Sequence, residues 1–114
     1  EQMDIIKNIP HETVLSLSEQ VQILKGQVVS KTLAQNDFVS ITVFAFDKGE
    51  EIGTHDSNGD AMVTVLEGTG TFVVDGKEYS VNEGETLIMP AKKPHAVLAK
   101  ESFKMLLTVV FPIS

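Results

Sequence analysis

No feature restricts this chain more than the rhythm of its turns. Between Gln27 and Phe111, short runs rich in β-branched and aromatic residues are cut every few positions by Gly, Asn, Asp or Pro. The sharpest case is "TFVV", then Asp75-Gly76, then "KEYSV". That dipeptide tolerates positive φ at both turn positions, so the segment reads as a two-residue hairpin. "QVVSKTLA" and "FVSITVFAF" flank Gln35-Asn36-Asp37 as a second hairpin, and "AMVTVLEG" follows an Asn58-Gly59 turn signal. "ETLIMP", "HAVLA" and "FKMLLTVVF" complete the set. Pro90 and Pro94 would interrupt a central pairing, which makes 91–94 a connection. The best helical candidate is "LSLSEQVQILKG", with Ser18 as its N-cap, although Val21 and Ile23 also fit alternation.

Roughly eight to ten strands without crossover helices imply an all-β antiparallel sandwich or barrel, and closure is favoured because it removes long open edges. A chain of 114 residues is one domain by size. It divides into an N-terminal segment, 1–20, and a barrel, 21–114. No apolar run is long enough to cross a membrane, and no basic segment followed by an apolar one marks export, so a cytoplasmic setting is expected. The absence of cysteine removes disulfides and thiolate chemistry. A formal charge of −7, with Lys92-Lys93 as the only tight basic pair between two prolines, argues against a nucleic-acid partner and for a small-molecule one.

Two patterns carry the chemistry. In the first, Gly49 is followed after five residues by His55, then by Ser57 one residue on, Ala61 after three more and Gly68 after six. In the second, Gly84, Pro90, Lys92, His95 and Ala99 stand at intervals of five, one, two and three residues. Both patterns resemble, in register and without a gap, the paired motifs of the cupin family, G-x5-H-x-H-x(3,4)-E-x6-G and G-x5-P-x-G-x2-H-x3-N. The resemblance implies a small single-domain cupin: a double-stranded β-helix, or jelly-roll barrel. It also implies a site in which three histidines and a glutamate, on strand positions facing inward, hold a divalent transition metal such as Fe, Mn, Ni or Zn. Neutral nitrogens with one anionic oxygen suit such an ion while leaving positions for substrate.

This chain keeps His55 and His95 but has Ser57 and Ala61 in the other two ligand slots. A serine hydroxyl is a poor ligand and a methyl is none. Two acids are weak substitutes. Asp60 precedes Ala61 and alternation points it outward unless a bulge at Gly59 re-aims it. Glu51, four before His55, would share its face in a regular strand. As catalytic or metal-ligating residues, His55 and His95 are therefore the core of any site, with Asp60 or Glu51 as marginal additions. Placed in one cavity, two imidazoles can also serve as acid and base without a metal. Cupins that isomerise or epimerise sugars give that idea a family precedent. His11 has no motif context and is expected to be exposed.

Parity from the two histidines lines the pocket with Ser57, Ala61, Val63, Val65, Val97 and Ala99. Met62, Thr64 and Leu66 then face outward. In "FKMLLTVVF" both faces are largely apolar, so the strand needs cover on both sides, and a homodimer would supply it. Met89 and Met105 read as core filler, although a thioether in the cavity would favour a soft metal. Lys92 and Lys93 sit just before His95, near the expected rim. Two readings stay level: an enzyme, metal-dependent or working by histidine acid/base transfer as an oxygenase or isomerase, and a ligand-binding or sensing module without metal.

Overall fold

The computed structural model describes residues 4–113. Among the described residues nine strands form two antiparallel sheets. They are β1 (Val28–Gln35), β2 (Val39–Phe46), β3 (Glu51–His55), β4 (Asp60–Glu67), β5 (Thr69–Val74), β6 (Lys77–Asn82), β7 (Thr86–Met89), β8 (His95–Leu98) and β9 (Phe103–Val110). One sheet runs β1-β2-β9-β4-β7 and the other β3-β8-β5-β6. Only the β1–β2 and β5–β6 steps stay within a sheet; every other connection crosses to the opposite one. That is the jelly-roll implied by the cupin resemblance, and its antiparallel sheets agree with the turn rhythm. The turn at Asp75 and Gly76 has φ of 51° and 82°, the double positive φ that a twisted hairpin needs. The connection between Pro90 and Pro94 separates β7 from β8 as expected.

One end of the interior is filled by aromatic rings. Phe46 stacks on Phe103 at 4.8 Å between centroids, and Phe72 meets Phe103 edge-on at 6.1 Å. Gly70 makes room for them: a Cβ there would lie 2.6 Å from a Phe103 ring carbon and 2.8 Å from one of Phe72. Val63, Val65 and Ala99 pack in the same cluster.

Among the described residues the N-terminal segment contains no α-helix. A single 3-10 turn, η1 (Leu17–Gln20), is preceded by Ser16 at the N-cap position, and no side chain caps it. Ser18 lies inside the turn rather than capping it, and its hydroxyl pairs with that of Ser16 at 3.0 Å. Val21 and Ile23, together with Ile9 and Leu17, pack against the outer face of the five-stranded sheet, on Val43, Ala45, Leu66 and Leu106. Lys104 fastens this cover. Its buried ammonium donates to the Ser18 carbonyl at 2.6 Å and lies 3.8 Å from Glu67. The outer face of β9 is thus covered in part by the chain's own N-terminal segment, where the sequence suggested a second subunit. Met62, Ile88 and Val110, on adjoining strands of the same face, remain 42%, 51% and 57% exposed.

Among the described residues no helix is long and apolar enough to cross a membrane.

Candidate functional site

β3 and β8 bring the two imidazoles together. His55 and His95 are directly paired across the ladder, their ring centroids 4.4 Å apart and their planes at 65°. His95 is 5% exposed, whereas His55 stands at the open side. Each ring is held by its own strand: Nδ1 of His55 donates to the Gly53 carbonyl at 2.9 Å, and Nδ1 of His95 donates to the Lys93 carbonyl at 3.1 Å. A carbonyl oxygen only accepts, so the neutral ring carries its proton on Nδ1 and keeps a lone pair on Nε2. Backbone oxygen therefore does the orienting that a carboxylate would otherwise do.

The rings border a cavity of about 210 Å³ at the end of the barrel away from the stacked phenylalanines. Ser57, Ala61 and Val97 line it as parity requires. Ser57 is half-buried, and its hydroxyl oxygen accepts from the Gly59 amide at 3.1 Å, which leaves its O–H free to donate. Val63, Val65 and Ala99 face the same interior but lie deeper, in the packed aromatic cluster, and do not border the cavity.

β3 changes the assignment of its other residues. Ile52 pairs with Val97 and His55 with His95, so three steps on β3 match two on β8. The extra residue is a bulge, and beyond it the side-chain parity is reversed. Ile52 joins His55 in the cavity, while Glu51 pairs with Leu98 and is exposed. Glu51 is therefore not a donor to the site. Nor is Asp60, whose carboxylate accepts from the Ala91 amide at 2.8 Å at the surface and fixes the turn after β7. Lys93 is also turned away from the histidines: its ammonium lies 3.7 Å from Asp75, in a more open groove of about 390 Å³ between the edges of β6 and β7. Lys92 occupies a left-handed position, φ 68°, and its amide donates to the Ser57 carbonyl, tying the two motif loops together. His11 is exposed, as expected.

Several wall residues escape the motif parity. Met89 sits opposite Ala61 across the β4–β7 ladder, and Met105, Leu107 and Val109 come from one face of β9. Gln35 and Ser40 arrive from the β1–β2 hairpin. The alternation within "FKMLLTVVF" already separates Met105, Leu107 and Val109 from their neighbours. Which of its faces pointed inward needed the pairing with β4.

An antiparallel double-stranded β-helix of two facing sheets with a paired-histidine cavity defines the class of protein. The cupin domain family model matches residues 42–111, and the chain belongs to the cupin family. It is similar over the full length of both chains to a conserved protein of unknown function from Streptococcus pyogenes, with 49% identity and a TM-score of 0.96. A cupin superfamily protein from Desulfitobacterium hafniense is 33% identical, with a TM-score of 0.89 over 94% of this chain and 98% of that one. A cupin 2 conserved barrel domain protein from Leptotrichia buccalis is 44% identical, with a TM-score of 0.83 over 84% of this chain and 47% of that one. No curated protein sequence matches it.

The family's divalent-metal set does not fit these residues. Two imidazoles are present, the third histidine slot is Ser57, and the carboxylate slot is the buried methyl of Ala61. Among the described residues no three His, Cys, Asp or Glu side chains gather in a way that could hold a metal.

Proposed function

We propose that the cavity binds a small metabolite with an apolar body and a hydrogen-bonding head, and that His55 and His95 transfer protons on it. The observation that carries this reading is the pair of imidazoles 4.4 Å apart, both with Nδ1 engaged by backbone oxygen, at the edge of a largely aliphatic hollow. Ile52, Val97, Leu107 and Val109 suit an apolar body, while the free Nε2 lone pairs and the Ser57 hydroxyl suit a hydroxyl, carbonyl or carboxylic head. Two imidazoles at this spacing reach neighbouring atoms of one bound molecule. One Nε2 lone pair can take a proton from carbon next to a carbonyl, and the Nε2–H so formed can hand that same proton to the carbonyl oxygen while the second ring accepts a hydrogen bond from the head group, a tautomerisation that needs no further reagent.

The test is a panel of hydroxy-, keto- and carboxylic metabolites screened by melting temperature, followed by NMR of the compounds that bind, in deuterated water. Binding that raises the melting temperature and fails in His95→Ala, with deuterium entering the carbon next to the carbonyl, is the expected result. Binding without exchange would assign the chain to the second reading, a non-catalytic ligand-binding module. The absence of any binder would overturn both.

A second copy of the chain is the proposed partner for the outer face that carries Met62, Ile88 and Val110. Light scattering should return a dimer mass, and Ile88→Glu should reduce it to the monomer.

A further inference from the structure

The histidine cavity is polar on both of its walls. His55 and His95 come from the four-stranded sheet, whereas Gln35 and Ser40 come from the five-stranded one. Gln35 pairs with Ser40, Ser40 with Val109 and Val109 with Ala61, so these four side chains share one row on the inner face. A bulge sets the row. Thr32 pairs with Thr42 but Ala34 with Ile41, so β1 carries one residue more than β2 between those pairings. On a regular ladder Ala34 would oppose Ser40 and point inward; the extra residue puts Gln35 there instead. A methyl is thereby exchanged for a carboxamide at the cavity edge.

The hairpin itself does not need either polar side chain. Asn36 closes that turn, its Oδ1 accepting from the Phe38 and Val39 amides, which leaves the Gln35 carboxamide and the Ser40 hydroxyl for the cavity. Facing sheets pack about 10 Å apart, so one small molecule can touch both walls. At about 210 Å³ the cavity is below the roughly 300–1,000 Å³ of pockets for drug-sized ligands, too small for a nucleotide. Among the described residues no Lys, Arg, Asp or Glu borders it, so a charge held at the second wall would go unpaired. We propose that the ligand carries two hydrogen-bonding groups: the head at the histidines, and a second, uncharged carboxamide or hydroxyl held by Gln35 and Ser40. This specificity rests on the metabolite reading and adds to it the far end of the molecule.

The experiment titrates the whole chain, labelled with nitrogen-15, with three carboxylates of one shape. Glutaramate ends in a carboxamide, 5-methylhexanoate in two methyls and glutarate in a second carboxylate. Glutaramate is expected to bind about fivefold tighter than either of the others, and it alone should move the Gln35 side-chain amide signal. Gln35 is exposed at the end of β1, so Gln35→Leu should fold. That variant and Ser40→Ala should each weaken glutaramate roughly two- to tenfold, the worth of one hydrogen bond. Gln35→Leu should also tighten 5-methylhexanoate. Equal or tighter binding of 5-methylhexanoate or glutarate by the native chain, or an unchanged preference in both variants, would overturn the proposal and leave the metabolite reading standing. Binding of none of the three would overturn it too, and the metabolite reading would then stand or fall on its own wider panel.

Discussion

Ile52 and His55 border one cavity although they stand three positions apart, because β3 carries an extra residue between its pairings with Val97 and His95. Glu51, adjacent to Ile52, consequently faces solvent. Substitution by alanine should separate these neighbours. Ile52→Ala removes partly buried aliphatic carbon and should lower stability by about 2 kcal/mol, at the low end of the range for such truncations. Glu51→Ala should stay within about 0.5 kcal/mol. Urea midpoints measured at a constant slope check both values. Equal losses would mean that the bulge is misplaced.

Gly70 is the contact on which the filled end of the barrel depends. Gly70→Ala places a methyl within 3 Å of carbons from two phenylalanine rings that have no free volume behind them. The expected loss is about 1–3 kcal/mol, the usual range for overpacking. Thermal melts, with near-ultraviolet circular dichroism as a report on the rings, would detect it. The histidine pair is at the other end, so ligand binding should persist in the folded fraction.

Lys104 predicts a local effect. Lys104→Met keeps the stem but removes the charged hydrogen bond to the Ser18 carbonyl, with an expected loss of about 1.5–3 kcal/mol. Amide exchange should quicken around Leu17–Val21 before it does in β2 or β9, because the cover is released ahead of the sheet. Uniform quickening throughout the chain would instead show that the cover and the barrel open as one unit.

What the sequence disclosed depended on how local the cause was. Asp75-Gly76 announces its hairpin because the turn needs only those two backbones. His55 and His95 are legible as a pair because the motif spacing places both on inward strand positions. β3 is a different matter: Gly49 and Gly53 break its pattern, and a bulge has no residue signature, so the face of Glu51 could not be read by alternation. The N-terminal cover was equally silent. Ile9, Leu17, Val21 and Ile23 follow no single period, since they cross the sheet as an irregular segment rather than pairing with it. Val63, Val65 and Ala99 have the right parity, but parity gives the side of a strand and not the depth along the barrel. Only the stacking of Phe46 on Phe103 shows where the filled part ends.

Ser57 and Ala61 supply the most demanding prediction, because they are the two slots in which the family's ligands are missing. Both border the cavity with His55 and His95, so the double variant Ser57→His/Ala61→Glu should complete a set of three imidazoles and one carboxylate. Without metal it should melt below the native chain, since a carboxyl placed among Met89, Leu107 and Val109 has no cationic partner and its burial is costly. Mn(II) or Zn(II) should then reverse the loss. An ion at a hundred times its dissociation constant stabilises the form it binds by about 2.7 kcal/mol. The native chain, with its neutral donors, should respond far less to the same ions. Metal analysis after dialysis gives a second measure, with close to one equivalent retained by the double variant. A variant that folds, melts low and ignores both ions would show that the four positions do not converge on one point, and the histidine geometry would have to be redrawn.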